Sequence, residues 1–206
     1  MQNMQANFTI NKQVPYDQIV YRGFLCCQVP GFWEPFYRLF ETEQISSVID
    51  IGTCHGGTTA FLYDLSKLKN KDSKVMSIDI VEVDWIKLIK DLGVDFIKGD
   101  AENENSPAYI AAKQLIQSPG KALVVCDGGS KIQEVIMYSK LLKSGDIILC
   151  HDYAENREEF NNSINEKIWN WCEITYQDIK EVHSVLDKHT LYSEFKNCVW
   201  GCFVKK

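Results

Sequence analysis

The stretch Val48-Ile49-Asp50-Ile51-Gly52-Thr53-Cys54-His55-Gly56-Gly57-Thr58-Thr59-Ala60 decides the fold. It opens as a short apolar run and passes through an acid into a glycine-punctuated turn. It then enters Ala60-Phe61-Leu62-Tyr63-Asp64-Leu65, where apolar residues recur at helical spacing. A buried strand that feeds a helix through a tight glycine loop is the start of a nucleotide-binding βαβ unit. Glycine suits such a loop because a Cβ would block a ligand lying against the backbone, and because positive φ is open to it. The helix that follows aims free N–H groups at the ligand. Taken alone, the motif also fits a tight βα turn that binds nothing, so the rest of the chain has to decide.

Outward from this stretch, apolar strand-like runs alternate with amphipathic patterns. Strands are expected at Val48–Ile51, Val75–Ile80, Asp95–Lys98, Ala122–Cys126 and Asp146–His151. Helices are expected at 57–69, 84–92, 106–117, 130–142 and 156–172. The last opens with Asn156-Arg157-Glu158-Glu159, an N-cap with an acid three residues on. Five strands alternating with helices imply a parallel sheet with right-handed crossovers. The tail breaks that rhythm. Ile179–Val185 and Cys198–Val204 read as two strands joined by a polar segment, a hairpin-like finish that makes the last strand antiparallel.

Upstream, Tyr21 to Glu43 is rich in aromatic residues, and a helix is expected to start near Trp33 with Pro35 in its first turn. Most of these aromatics read as core. Residues 1 to 20 read as an arm or short extended piece. With no internal repeat, low-complexity tract or linker, one domain over residues 1–206 is expected, with 1–44 forming an N-terminal arm and helix packed on the core.

Bulk properties narrow the partners. A chain of 206 residues with 45% hydrophobic and 24% charged residues is ordinary for a soluble domain and long enough for a sizeable core. The net charge of -6, with no basic stripe to offset it, argues against nucleic acid. Apolar runs such as Ile147-Ile148-Leu149-Cys150 are too short to span a membrane. Met1 to Asn7 is polar and lacks the apolar core of a secretory signal, so a cytoplasmic location is expected. The eight cysteines lack C-x-x-C spacing and several end strand-like runs. Free buried thiols in a reducing compartment are expected, rather than disulfides or a structural zinc site.

An acid stands at or just after each strand end: Asp50, Asp79, Asp100, Asp127 and Asp152. In open parallel sheets ligands bind outside the carboxyl ends of the strands. Five acids on one rim do not suit a pyrophosphate. They suit a ligand with hydroxyls, an amino group and a cationic centre. Asp79 would accept both ribose hydroxyls, although alone it also reads as a helix N-cap.

This order of motifs resembles the class I S-adenosylmethionine (SAM) dependent methyltransferases. The D-x-G-x-x-x-G-G of Asp50, Gly52, Gly56 and Gly57 matches that superfamily's first motif, not the G-x-G-x-x-G of dehydrogenases. The match continues through Asp79, Gly99-Asp100-Ala101 and Val124-Val125-Cys126-Asp127-Gly128-Gly129. A narrower resemblance, over residues 21 to 153, rests on Tyr21-x-Gly23, Gln28-x-Pro30 and Ile51-Gly52-Thr53-x-His55-Gly56-Gly57-Thr58. It is similar to the cephalosporin hydroxylase and rhamnosyl O-methyltransferase-like family, relatives of metal-dependent O-methyltransferases.

The resemblance implies a Rossmann-like α/β fold: a mostly parallel seven-stranded sheet, an antiparallel last strand and helices on both faces. It implies that Gly52, Thr53 and Gly56 line the methionine part of SAM, with Gly57 also counted among the cofactor-binding residues, that Asp50 holds its amino group directly or through water, and that His55 orients the loop or SAM. Asp79 would take the ribose, Asp100 with Ala101 the adenine, and Asp127 would sit by the sulfonium and substrate; Ile80 and Gly128 are also expected to line the cofactor. In metal-dependent relatives the corresponding acids bind magnesium. Here those positions are Asp127, His151 and Asp152, a tentative site for Mg2+ or another divalent metal. The chain departs from the family at His151, where an acid is usual, and at Ser130, where a histidine is usual. His151 is therefore also a candidate general base, with Asp127 beside it as a second catalytic candidate. Equally, it reads as a hydrogen-bonded strand-end histidine.

The implied activity is O-methylation of a hydroxyl on a small molecule or sugar, with a homo-oligomer possible through the aromatic N-terminal segment. The alternative is a catalytically inactive SAM-binding protein serving as an interaction or regulatory subunit, prompted by the two departures. A nicotinamide-dependent oxidoreductase is disfavoured by the glycine spacing and the terminal hairpin.

Overall fold

The computed structural model describes residues 8–11, 18–83 and 85–206. The expected arm falls partly outside them, and the polar segment Met1–Asn7 wholly so. Within them the chain starts with three short strands, β1 (Phe8–Asn11), β2 (Gln18–Tyr21) and β3 (Phe24–Leu25), paired antiparallel in a small sheet of their own. Helix α1 (Trp33–Thr42) follows, carrying Pro35 in its first turn, where the missing N–H breaks no helical bond.

The main body then unrolls in order: β4 (Ile45–Ile51), α2 (Gly57–Lys69), β5 (Lys74–Asp79), α3 (Ile86–Leu92), β6 (Asp95–Lys98), α4 (Pro107–Ile116), β7 (Lys121–Cys126), α5 (Lys131–Ser139) and β8 (Ile147–Cys150). The helix expected over 84–92 starts at Ile86, and Asp84 lies outside the described residues. After β8 the sheet is completed by β11 (Leu186–Lys188) and β12 (Gly201–Lys205). The seven strands lie in the order β11-β12-β8-β7-β4-β5-β6. Strands β4 to β8 are parallel, and β12 runs antiparallel to both β8 and β11. The architecture the resemblance implied is therefore present.

Side-chain alternation splits the core into two layers. Along β7, Leu123 and Val125 join Phe36 of α1 and Phe61 of α2 on one face, whereas Ala122, Val124 and Cys126 join Ala108 of α4 and Tyr138 of α5 on the other. Because both faces are covered, β7 reads as a nearly continuous apolar run from Ala122 to Cys126, and the second half of β4, Val48–Ile51, is interrupted only by Asp50. Phe61 sits in a ring cluster with Phe8, Tyr21, Phe32, Phe36 and Tyr37, which fastens the small sheet and α1 to α2. Burying one such phenyl ring stabilises the fold by about 1.5–3 kcal/mol.

Two expected elements are corrected. The helix expected over 156–172 is only a short turn. Asn156 caps α6 (Arg157–Glu159), its side chain accepting from Glu159 N at 2.8 Å, and the helix widens into a π turn at Phe160–Ile164. Asn161, Asn162, Ser163 and Asn165 compete with helical hydrogen bonds, and Glu166 adopts φ +60. The segment returns as β10 (Ile174–Thr175), which pairs in parallel with β9 (Tyr153–Ala154). The strand expected at Ile179–Val185 lies largely in a 3-10 helix, Tyr176–Val182, because Thr175 and Asp178 form a capping box. Pairing begins only at Leu186. A five-residue helix, α7 (Tyr192–Lys196), then precedes β12.

The chain leaves β4 toward β5 and β6 on one side, then returns to β7 on the other. The loops after β4 and β7 therefore diverge at a switch point, where ligand crevices form. Gly52 (φ +93) closes that junction. A Cβ there would lie 2.2 Å from the Asp127 carbonyl oxygen, so two loop backbones demand glycine at this position. Likewise a Cβ on Gly57 would meet the Leu25 carbonyl oxygen at 2.5 Å. At these two positions the protein's own packing requires glycine.

Candidate active site

Two cavities open on the carboxyl ends of the strands and share Gly52, Cys54 and Asp127 in their walls. The larger, about 530 Å³, extends over the ends of β5 and β6 and includes Asp79, Ile80, Asp100, Ala101, Gly128 and Glu134. The smaller, about 250 Å³, runs from Thr53, His55 and Gly57 across to Lys131, His151, Asp152 and two tryptophans, Trp169 and Trp171.

In the larger cavity the Asp79 carboxylate is oriented by backbone donors. Its Oδ2 accepts from Cys54 N and its Oδ1 from Val81 N, both at 2.9 Å. Asp100 Oδ1 accepts from Glu102 N at 2.8 Å, and the Ala101 carbonyl accepts from the Tyr138 hydroxyl at 2.9 Å. Ile80 is two-thirds exposed on the rim. Glu134, which sequence reasoning did not single out, has one carboxylate oxygen accepting from Gly128 N at 3.3 Å. The other, Oε1, is buried with no hydrogen-bond partner among the described residues. Burial pushes this carboxyl up to about 8.

Asp50 is the sequence-predicted acid that neither cavity wall includes. It lies beneath the glycine loop, 1% exposed, with Oδ2 accepting from Thr59 Oγ1 at 2.5 Å and Ser77 Oγ at 3.1 Å. Burial pushes it up to about 7 against the help of the Thr59 hydroxyl, and Oδ1 has no partner among the described residues. Thr53 is tied to the same network through Ser77 Oγ at 2.6 Å. Gly56 is the N-cap residue of α2.

The smaller cavity holds the densest polar cluster. His151 Nδ1 donates to Asp127 Oδ1 at 3.1 Å and lies 3.5 Å from Asp152 Oδ1. Its Nε2 is buried with no partner among the described residues. Desolvation alone would lower this imidazole's pKa, but the Asp127 charge and hydrogen bond outweigh it and raise it overall. The second Asp127 oxygen accepts from Gln28 Nε2 at 3.1 Å, and Gln28 Oε1 in turn accepts from Trp200 Nε1 at 2.9 Å. Asp152 Oδ1 accepts from Trp169 Nε1 at 2.5 Å. Burial works against the Asp152 carboxylate, but His151 and Lys131 hold it below its ordinary range.

Lys131 completes the cluster. Its ammonium, only 6% exposed as a residue, lies 2.8 Å from Glu173 Oε2, 3.2 Å from Asp152 Oδ2 and 3.8 Å from Asp127 Oδ1. Burial opposes its charge, yet the flanking carboxylates raise its pKa and keep it protonated. Lys131, Gln28, Glu173, Trp169 and Trp200 were not predicted as site residues. Lys131 could have been found four residues after Asp127, at the start of α5. Gln28 stood in a quoted motif but without a role.

The ligand atoms of Asp127, His151 and Asp152 lie within 4.8 Å of one another. Two carboxylates and an imidazole are a donor set for a divalent cation, so the residues fit such an ion in kind. Lys131 already supplies positive charge at the same carboxylates, and an ion would have to displace its ammonium toward Glu173.

A second convergence was not expected. Cys27 and Cys54 face one another beside His55 on the wall of the smaller cavity. The hydrogen bond from Cys27 lowers the Cys54 thiol to about 6 and raises Cys27 itself. Of the eight cysteines, all free, Cys26, Cys126, Cys150 and Cys202 are buried, whereas Cys172 and Cys198 are half-buried and Cys27 and Cys54 exposed, unlike the buried thiols expected. No helix among the described residues is long and apolar enough to cross a membrane.

The parallel sheet closed by antiparallel β12, with a glycine loop after β4 and acids at the ends of β5, β6 and β7, is the Rossmann-like fold of SAM-dependent methyltransferases. The chain belongs to the FtsJ-like methyltransferase family, whose sequence pattern matches residues 34–195. No curated protein matches it. Among solved structures it is similar to CmcI with Mg and SAM, with a TM-score of 0.66 at 15% identity over 95% of this chain and 81% of that one. CmcI with SAH gives 0.60 at 14% identity, covering 95% of this chain and 87% of that one. The MycE methyltransferase of the mycinamycin biosynthetic pathway, with Mg and SAH, gives 0.52 at 13% identity over 85% of this chain and 49% of that one. Likeness at such identities concerns the fold.

Proposed function

We propose that this methyltransferase transfers the methyl group of SAM to a hydroxyl of a small molecule or sugar. The observation that carries the reading is the pair of cavities joined at Gly52, Cys54 and Asp127, with a buried imidazole nitrogen that has no partner among the described residues at the smaller one. In this reading adenosine occupies the larger cavity: Asp79 and Ile80 attend the ribose, Asp100 and Ala101 the base, and Gly128 the floor. The methionine part lies along Gly52, Thr53, His55, Gly56 and Gly57, and Asp50 acts from beneath the loop.

The acceptor then enters the smaller cavity between the glycine loop and Trp169. Methyl transfer from a sulfonium is an in-line displacement, so positioning the acceptor oxygen and removing its proton are the enzyme's main tasks. His151 Nε2 takes that proton, while Asp127 holds the tautomer with hydrogen on Nδ1 and stabilises the imidazolium that forms. Lys131 balances the cluster's negative charge. A divalent ion, when bound, would be held by Asp127, His151 and Asp152 and would lower the pKa of a coordinated hydroxyl. The relatives CmcI and MycE, solved with Mg, support keeping that possibility in the assay. The net charge of -6 favours a small acceptor over nucleic acid.

The test is calorimetry with SAM and S-adenosylhomocysteine, followed by labelled-methyl transfer to a panel of sugars and catechols with and without Mg2+. Saturable binding of both cofactors and label transfer to a hydroxyl acceptor are expected. Absence of binding to either cofactor would overturn the reading.

A further inference from the structure

Among the described residues two sets of three potential ligand side chains converge, and only one supplies the proton-handling groups of the proposed chemistry, although His55 of the other also lines the methionine part in that reading. The other is Cys27, Cys54 and His55, whose two sulfurs and ring nitrogen lie within 4.8 Å of one another. We propose that Cys27, Cys54 and His55 form a binding site for a thiophilic divalent cation of the Zn2+ class, on the threshold between the two cavities.

The donor set selects the ion. Two sulfurs and an imidazole contain no hard oxygen, which disfavours Mg2+ or Ca2+ and suits Zn2+. Tetrahedral coordination brings such donors to roughly 3.5–3.8 Å from one another. The three side chains are exposed, so small rotations close the remaining gap without disturbing the core. Three protein donors leave a fourth position for water or a group of a ligand in the cavity.

The backbone supports the same reading. Cys27 and Cys54 are non-glycine residues held at φ +52 and +46, a conformation side chains other than glycine's adopt reluctantly. One follows β3 and the other lies in the glycine loop, so two separate loops each accept strain at the residue that contributes a thiol. Cys54 is also anchored through its backbone N–H to Asp79. The site is invisible to spacing arguments, because its ligands lie in two loops and lack the paired C-x-x-C pattern.

The experiment uses the full chain, reduced and stripped of metal, without SAM, so that its outcome is independent of the methyl-donor reading. Zn2+ is titrated against a competing chromophoric chelator, and Co2+ is used as a spectroscopic probe. One Zn2+ per chain is expected, bound at least roughly 100-fold more tightly than by C27S or C54S. Co2+ should give a thiolate-to-metal charge-transfer band that both variants lose and D152N keeps. Equal Zn2+ affinity in the unaltered chain and a C27S/C54S double variant would overturn the proposal. So would a Co2+ spectrum of the unaltered chain without thiolate charge transfer, a readout that depends on no variant folding. Loss of uptake in D152N with retention in C27S would assign the ion to the carboxylates and overturn it as well.

Discussion

The ammonium of Lys131 lies 3.2 Å from Asp152 Oδ2, inside the cluster that would otherwise offer its carboxylates to a metal ion. Replacing it by methionine leaves Asp127, Asp152 and Glu173 without their shared counter-charge. Breaking a buried ion pair from one side costs about 3–5 kcal/mol. Lys131→Met should therefore unfold at lower temperature than the unaltered chain, and Mg2+ or Mn2+ should recover part of the loss. Metal affinity by calorimetry should rise. The same metal response in both proteins would rule out competition between the lysine and the ion.

Gln28 bridges Asp127 and the Trp200 indole. Gln28→Ala removes both contacts and costs about 1–3 kcal/mol of stability through the groups left unpaired. If Asp127 is held in position by that amide, kcat should fall roughly tenfold or more while SAM affinity stays within about threefold. Kinetics and calorimetry on one preparation separate the two effects. A change confined to SAM affinity would contradict this role.

A base at His151 works in its neutral form, and its pKa lies above the ordinary 6.5 because of Asp127. The acid limb of kcat/KM should therefore fall on the alkaline side of that value. Asp127→Asn should move the limb toward lower pH and reduce the rate. His151→Asn should remove the limb and cost about 10²- to 10⁴-fold in rate. An unchanged limb in His151→Asn would show that another group is titrating.

Asp50 and Glu134 are buried carboxyls raised from ordinary values of 3.8 and 4.5 to about 7 and about 8. The unfolded chain releases these protons near its ordinary values, whereas the folded chain keeps them to higher pH. Their contribution to stability is full below about pH 4, falls progressively from there up to about pH 7 for Asp50 and about pH 8 for Glu134, and is gone above those values. Thermal unfolding should therefore show a stability that declines across that range. Asp50→Asn and Glu134→Gln should each flatten the decline, by an amount on the order of a few kcal/mol. A slope identical in all three proteins would contradict the burial argument.

The parallel core was legible because β4, β7 and β8 are buried on both faces and so read as short apolar runs bounded by polar turns. The glycine loop was legible from its spacing, although Gly52 serves a contact with the loop after β7 and Gly57 a contact between the start of α2 and β3. Trp169 and Lys131 were not legible. Trp169 falls within the helix expected over 156–172, whereas the chain leaves the helix after Ile164 and folds the indole back onto Asp152. Lys131 falls in the first turn of the helix expected over 130–142, where lysine is ordinarily solvated. Its burial depends on Asp152 and Glu173, which arrive from a segment more than 20 residues away. The Cys27–Cys54 approach is likewise tertiary.

The clamp on Asp127 also has a temporal consequence. Its amide comes from residue 28 and the indole that steadies the amide from residue 200, separations of 99 and 172 residues. Chains emerge from the ribosome N-terminus first, and early segments begin to fold as they appear. Every strand from β4 to β8 can be translated while the Trp200 indole is still unmade. A nascent chain can thus form the glycine loop before it can fully clamp the acid beside it. Completion of the clamp is deferred to the end of synthesis, when strand β12 slots in beside β8.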